Sequence, residues 1–221
     1  MEPAFLALAI IILLFSVILH EVMHGFAALK FGDRTAELAG RLTLNPLPHV
    51  DPIGTILVPA ILILPGLLFG GGTGFIIGWA KPVPVNPLNF SDIRKGELFV
   101  SLAGVGANFA LAIIGAILFH TFSNIYPNIL LLHLLRFTVT INLLLGVFNM
   151  LPLPPLDGSK VLMSRLPTKW AIKYQQLERY GLLILLFLWF FPIAGVPILG
   201  LIIGLAINAI NLLLNVPLRL F

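Results

Sequence analysis

The sequence predicts an all-α polytopic membrane protein, with about five to six membrane segments and a short membrane-associated β element. Of its 221 residues, 59% are hydrophobic and only 10% are charged, and the mean hydropathy is +1.06. Soluble domains carry about 25% charged residues, so this composition excludes a water-soluble globule. Several long stretches also lack Asp, Glu, Lys and Arg, and each can cross or enter a bilayer: residues 3–19, 52–80, 98–135, 137–156 and 181–218.

The charged residues lie between these stretches, as expected for membrane-surface loops. The net charge is +4, but the 13 Lys and Arg are scattered and interleaved with acids, which favours a lipid surface over nucleic acid as the partner. The absence of cysteine excludes disulfides, thiolate metal sites and cysteine catalysis. We predict one membrane-embedded domain over residues 1–221, with a core at 3–179 and C-terminal helices at 181–218, so that any regulator is a separate protein.

The first helix is predicted from Pro3, which suits a first helical turn, to about Phe31, with Gly32 as its stop. Such a helix is roughly 40 Å long, enough to cross a bilayer and emerge. The N-terminus lacks a basic region and a small-residue cleavage site, so we interpret the helix as retained. Lys30 and Arg34 are expected to mark its cytoplasmic end.

Two extended segments flank an interrupted apolar stretch. Residues 40–46 alternate polar and apolar side chains and end in turn-forming residues, as a short strand does. Residues 81–87 carry alternate prolines, which fits an edge strand. Between them, residues 52–80 are broken by prolines and by the glycine-rich run 70–74. We therefore predict a re-entrant or twice-crossing hairpin that turns near that run.

The rest of the chain predicts two spans and a broken C-terminal segment. Residues 98–119 and 129–150 are joined by a link without Lys or Arg, which is expected on the extracytoplasmic side. The loop after the second span carries five positive charges in about twenty residues and is expected in the cytoplasm. Prolines and a glycine within residues 192–197 divide the last apolar stretch into two helices, the first of them short.

Metal-binding chemistry is indicated by residues 20–24, which read H-E-x-x-H within the first helix. The i, i+4 spacing places His20 and His24 on one face, where both imidazoles can bind one Zn²⁺. Glu21 is offset by one residue, so it approaches the attacking water instead of the metal and fits a general base. The alternative, a helix with incidental polar residues, is disfavoured because such side chains are costly in lipid without a partner or a cavity.

A catalytic zinc usually keeps three protein ligands, so a third ligand must come from elsewhere in the chain. Asp157 is the strongest candidate, because three prolines end a helix at membrane depth and Gly158 allows a tight turn that can aim this carboxylate into the bundle. Other acids fall in charged loops. The competing interpretation, in which Asp157 is the N-cap of the following helix, stays open.

These motifs resemble those of the site-2 protease family of intramembrane zinc metalloproteases. The resemblance lies in H-E-x-x-H at residues 20–24, in N-x-x-P-x-x-P-L-D-G at residues 149–158, and in G-V-G-A-N at residues 104–108. Residues 41–46 and 78–86 are similar to the compact prokaryotic subgroup, which has no attached PDZ or CBS domain.

The resemblance implies a function and the residues that perform it. One Zn²⁺ is held by His20, His24 and Asp157, Glu21 acts as base, and Asn149 lies near the scissile carbonyl. The chain is then an endopeptidase that cleaves transmembrane segments of other proteins, multi-pass in a prokaryotic cell membrane and with its active site towards the cytoplasm. One alternative is a non-proteolytic membrane protein that binds or transports a metal ion, which needs the ligands but not Glu21; another is a purely structural subunit.

The remaining polar residues receive structural or substrate-holding roles. Asn108 and Asn142 are predicted to hydrogen-bond between helices, and His49 to be a loop histidine or, alternatively, a group that supports the metal ligands. The segment around residues 40–46 offers an uninterrupted set of N–H groups. A substrate strand is therefore predicted to pair beside five residues: Arg41, Leu42, Thr43, Leu44 and Asn45.

Overall fold

The structure is a computed structural model that describes residues 3–58, 60–61, 79–191, 196 and 198–218. Its helices in this part of the chain are α1 (Pro3–Lys30), α2 (Thr35–Leu38), α3 (Ile93–Ile125), α4 (Ile129–Asn149), α5 (Asp157–Arg165), α6 (Thr168–Gln175), α7 (Gly181–Phe190) and α8 (Ile198–Leu214). Single turns of 3₁₀ helix lie at Leu47–His49, Pro87–Asn89 and Glu178–Tyr180, and a π-helical turn at Pro52–Leu57. The hairpin turn predicted near residues 70–74 lies outside the described residues.

In the described part of the chain, three helices are long and apolar enough to cross a membrane, namely α1, α3 and α4. α1 ends where predicted, because Gly32 adopts a φ of +103° that side-chain-bearing residues rarely adopt. α3 begins earlier than predicted, since the Asp92 carboxylate accepts a hydrogen bond from the Lys95 N–H and caps the helix. The Asn128 side chain caps α4 in the same way by accepting from the Leu131 N–H.

α3 lies at the centre of the bundle, packed against α1, α4 and α5, and α8 packs on α4. The facing sides carry small or branched apolar residues that are almost fully buried: Ala112, Ala116, Val139, Leu143, Ile203 and Ile207. The opposite sides of α1 and α3 expose large apolar side chains, among them Ile10, Ile11, Ile113 and Ile117. Exposed apolar surface of this kind is typical of helices that contact lipid, as the sequence predicts for a membrane protein.

Residues 81–86, which form neither helix nor strand, and the 3₁₀ turn Pro87–Asn89 cross the C-terminal half of α1, and we call residues 81–89 the strap. The strands predicted within the strap and at residues 40–46 are not formed, and the described residues contain no β-sheet. Backbone carbonyl groups of the strap, which a β-ladder would use for pairing, accept hydrogen bonds from a side chain instead. The buried Arg41 guanidinium donates hydrogen bonds to the carbonyl groups of Lys81 (2.7 Å) and Pro82 (3.2 Å).

The other end of the strap is held by Asp33, whose side chain is fully buried. Its carboxylate accepts hydrogen bonds from the Asn86 N–H (2.7 Å) and from the Asn89 side chain (2.8 Å), and it also accepts from the Thr35 hydroxyl. Burial raises the pKa of the Asp33 carboxyl, but these hydrogen bonds outweigh it and hold the pKa below its usual value. The Asp33 carboxylate is therefore ionised at neutral pH. Hydrogen bonds from Arg41 at one end of the strap and to Asp33 at the other hold it in place.

Candidate active site

Two histidines of α1 and the first residue of α5 meet inside the bundle. The Nε2 atoms of His20 and His24 are 2.9 Å apart, and each lies 3.2 Å from Oδ2 of Asp157. All three residues are buried. Within the described residues, these are the His, Asp and Glu side chains whose ligand atoms lie close enough together to share a metal ion. The structure thus brings together the three ligands that the resemblance implies.

Asp157 reaches the histidines because of the tight turn between α4 and α5. Gly158 lies so close to the backbone carbonyls of Met150 and Leu151 that a side chain at this position would overlap them. α5 starts at Asp157 itself, after an extended Leu156, and has no side-chain cap. The Asp157 carboxylate therefore does not act as an N-cap, and it is directed at the two imidazoles instead.

The outward-facing nitrogens of both imidazoles are hydrogen-bonded to oxygen atoms. His24 Nδ1 lies 2.7 Å from the Val100 carbonyl oxygen, and His20 Nδ1 lies 2.7 Å from Asn108 Oδ1. Because a carbonyl or amide oxygen only accepts, each Nδ1 carries the hydrogen and each Nε2 presents a lone pair. In the metal-ligand group, two lone pairs and one carboxylate oxygen then converge, which is unfavourable without a cation among them. Imidazole nitrogen and carboxylate oxygen are ligands of Zn²⁺, so these residues fit a zinc ion.

Glu21 lies beside this group, in a cavity of about 320 Å³ that the three ligands also line. Its Oε2 accepts a hydrogen bond of 2.8 Å from the Val83 N–H of the strap. Pro82 and Pro84 have no N–H, so Val83 is the donor that this stretch of the strap can offer. The other walls combine apolar side chains (Val85, Pro87, Phe90, Val100, Pro155 and Leu156) with polar ones (Glu97, Ser101 and Lys160).

Asn149 lines the same cavity. Its Nδ2 donates a hydrogen bond of 3.0 Å to the Leu145 carbonyl, one turn back along α4. An amide nitrogen has two N–H bonds, and the second has no partner among the described residues. Asn149 is therefore placed to offer one donor to a bound molecule.

The predicted substrate-binding segment lies next to the site but is not extended as a strand. Leu42 packs over Gly25, where a Cβ would come within 2.5 Å of its Cδ2 atom. Arg41 is engaged with the strap, and the Thr43 carbonyl lies 2.9 Å from His49 Nε2. His49 is thus a buried loop histidine, as one of the two interpretations predicts.

The sequence does not predict the contacts that Asn108 and Val83 make with His20 and Glu21 at this site. Asn108 hydrogen-bonds between helices as predicted, by donating to Asn142, and it also contacts His20. The four-residue spacing of Gly104 and Asn108 was an available signal, because it places both on the face of α3 that meets α1. No signal of this kind existed for Val83, whose contribution is a backbone N–H.

Gly104 makes room for the two imidazoles, and its replacement is a first test of the site. A Cβ at this position would lie 2.5 Å from Nε2 of His24 and 2.8 Å from Cε1 of His20. We expect Gly104→Ala to displace both rings and to weaken zinc binding by about 10–100-fold, as loss of a ligand-supporting group does. Competition with a chromophoric chelator measures this affinity.

Gly106→Ala is the matched control, because a Cβ there meets no atom within 4 Å. It also lies within α3, where alanine favours the helix. We expect wild-type zinc affinity for this variant. Equal affinities for the Gly104 and Gly106 variants would contradict the close approach of the imidazoles to α3.

An H-E-x-x-H helix, an aspartate aimed at its two histidines from a proline-rich turn, and an adjacent glutamate form the arrangement expected of a metalloprotease site, here within a bundle of apolar helices. The comparisons with known proteins agree. The sequence profile of peptidase family M50 matches residues 120–192. YwhC of Bacillus subtilis (strain 168), provisionally named a zinc metalloprotease, is 40% identical over 192 residues, which cover 84% of this chain and 81% of YwhC.

Two further relatives carry similar names. Rip2 of Mycolicibacterium smegmatis, also provisionally named a zinc metalloprotease, is 30% identical over 204 residues, covering 83% of this chain and 72% of Rip2. Zinc metalloprotease MJ0392 of Methanocaldococcus jannaschii is 28% identical over 170 residues, covering 76% of this chain and 37% of that protein. No solved structure matches the chain at a significant level. The chain belongs to peptidase family M50, as the motifs predict, and it is a zinc metalloprotease.

Proposed function

We propose that this metalloprotease is an intramembrane endopeptidase that cleaves transmembrane segments of other membrane proteins. The observation that carries the proposal is the depth of the site in an apolar helix. His20 lies about 15 Å along α1 from Lys30, and large apolar side chains of α1 face outwards. A substrate that reaches Glu21 must therefore place its peptide bond below the membrane surface.

The chain's own residues account for the chemistry of peptide-bond cleavage. Zn²⁺, when bound, polarises a carbonyl group and makes water more acidic. Glu21 takes the proton from the attacking water and passes it to the leaving amine. The Val83 N–H holds one oxygen of Glu21 and leaves the other free for this transfer. Asn149, which lines the cavity, donates its second N–H to the oxyanion that develops on the carbonyl.

We place the site towards the cytoplasm in a multi-pass topology. The Ser91 N–H donates to the Phe31 carbonyl (2.9 Å), and Arg94 donates to the Thr168 hydroxyl (2.9 Å). These contacts support a common membrane side for the end of α1 and the starts of α3 and α6. Of the 13 Lys and Arg, all except Arg136 and Arg219 then belong to segments on that side, in line with the positive-inside rule.

Substrate is proposed to pair with the backbone of residues 41–45. Among the described residues, the N–H groups of Leu42, Thr43 and Leu44 have no hydrogen-bond partner. These free donors lie in a segment whose Leu42 packs against α1 at Gly25, one residue after His24. They can hold an unwound substrate through main-chain hydrogen bonds, which give affinity without demanding a particular sequence. This assignment rests on free N–H groups and not on a preformed strand.

Incubation of the purified chain in detergent with a panel of single-span membrane proteins tests the proposed function. We expect products cut within the transmembrane segment, no product after treatment with a zinc chelator, and recovery when zinc is restored. Mass spectrometry of the fragments locates the cut. Cleavage confined to exposed loops would overturn the intramembrane proposal. A chain that binds zinc, cuts none of the panel and moves zinc across liposome membranes would favour the metal-transport alternative.

A further inference from the structure

A chain of hydrogen bonds runs from His20 through the core and joins α1, α3 and α4. His20 Nδ1 lies 2.7 Å from Asn108 Oδ1, Asn108 Nδ2 donates to Asn142 Oδ1 (3.0 Å), and Asn142 Nδ2 donates to Ser16 Oγ (2.9 Å). Asn108, Asn142 and Ser16 are at most 1% exposed. Buried polar groups in an apolar bundle are costly unless they are satisfied, and this set ends on a metal ligand.

The direction of every hydrogen bond in this chain is fixed by two backbone carbonyls. The Ser16 hydroxyl donates to the Ile12 carbonyl (2.8 Å), so its oxygen accepts from Asn142. Asn142 Nδ2 also donates to the Thr138 carbonyl (2.9 Å), which uses both of its N–H bonds. The Asn142 oxygen therefore faces Asn108 and accepts from its Nδ2. This leaves the Asn108 oxygen, and no other atom of that amide, to face His20.

We propose that Asn108, Asn142 and Ser16 are positioning residues that keep the hydrogen of His20 on Nδ1. The Nε2 lone pair of His20 is then directed at the metal in advance of binding. The inference rests on the zinc site of the proposed function, but it does not depend on which substrate is cleaved. The three residues touch neither the substrate cavity nor the reacting atoms.

The tautomer of His20 needs to be fixed because of how the ligands are arranged without metal. If the hydrogen moved to Nε2, His20 could donate it to the Asp157 carboxylate, since the two atoms are 3.2 Å apart. That tautomer satisfies the metal-free site and blocks zinc. The Asn108 oxygen opposes it, because the move would leave this buried oxygen facing a bare Nδ1 lone pair.

The second histidine ligand is held by a different means. His24 Nδ1 donates to the backbone carbonyl of Val100 (2.7 Å), which is present whatever side chain occupies that position. The tautomer of His24 therefore depends on the placement of α3, whereas that of His20 depends on side chains. Substitutions in the hydrogen-bond chain should act on His20 alone.

The test compares Asn108→Leu with Thr138→Val in the full chain. The leucine variant removes the acceptor for His20 and should weaken zinc binding by about 10–100-fold. The valine variant removes a hydroxyl that bonds only to Leu134, keeps the carbonyl used by Asn142, and should bind zinc like the wild type. Zinc affinity is measured by chelator competition. ¹⁵N NMR of histidine in the metal-free chain should show the His20 hydrogen on Nδ1 in the wild type and partly on Nε2 in Asn108→Leu.

Asn142→Leu is the second test variant, to be used if Asn108→Leu does not fold. Asn142 does not touch His20 and can affect it only through Asn108. It frees the Asn108 amide to turn, so we expect the same NMR change and a zinc affinity lowered by about tenfold. Wild-type zinc affinity and an unchanged tautomer in the folded variants would overturn the inference. This result would leave the proposed proteolysis intact, because cleavage is assayed separately. An equal loss of affinity in Thr138→Val would also overturn it, as the effect would then be general loosening of the core.

Discussion

Replacing Glu21 with glutamine is expected to leave zinc bound and to lower the cleavage rate by about 10²–10⁴-fold, the usual contribution of a general base. The amide oxygen of glutamine can still accept the Val83 N–H, so the side chain should keep its place. What is lost is the ability to take a proton from water. The rate is measured on a single-span substrate in detergent, with bound zinc determined by elemental mass spectrometry of the same preparation.

Glu37→Gln is the control for this substitution, because Glu37 is an exposed carboxylate that pairs with Arg34. It should change neither zinc content nor rate. Full activity in Glu21→Gln would remove the assigned base and with it the proposed mechanism. Loss of zinc in Glu21→Gln would show instead that Glu21 supports the metal site.

The helices and the convergence of His20, His24 and Asp157 could be predicted because their signals are local or energetically strong. An i, i+4 pair of histidines lies on one helix face whatever the tertiary structure. The surrounding apolar sequence makes polar side chains expensive in lipid, so His20, His24 and Asp157 needed one another. The proline-rich turn before Asp157 was equally visible, since Gly158 and its neighbours leave the backbone few other paths.

The path and the hydrogen-bond partners of the strap could not be predicted, because they depend on contacts between distant parts of the chain. Alternate prolines indicate an extended backbone both in an edge strand and in an isolated segment. They do not predict which acceptors the remaining N–H groups will bind. Here Val83 donates to Glu21 and Asn86 donates to Asp33, across 62 and 53 positions of sequence. Partners that far apart come together only through the packing of α1, α2 and α3.

The strap also gives the side chain of Arg41 a structural role that the sequence does not predict. In the fold, its guanidinium is buried against the carbonyls of Lys81 and Pro82, because a planar group with five donors suits two adjacent carbonyls. Arg41 thus contributes to the position of the Val83 N–H, and through it to the orientation of Glu21.

Removal of Asp157, the proposed third ligand, has the other large expected effect. Asp157→Ala should weaken zinc binding by more than about 100-fold, beyond the loss expected for a group that only supports a ligand. Cleavage should fall below detection. A thermal shift on zinc addition separates this role from a structural one, because a ligand that binds only the folded chain raises its unfolding temperature. The wild type should show this shift, and the variant should not.

The zinc-induced shift identifies Asp157 as a ligand better than the unfolding temperature of the metal-free chain does. Without metal, the same carboxylate lies 3.2 Å from Nε2 of both imidazoles and can pair with a proton held there. Glu97→Gln is the matched control, since Glu97 lines the same cavity but lies outside the metal-ligand group. A zinc-induced shift that survives in Asp157→Ala and disappears in Glu97→Gln would assign the third ligand to Glu97.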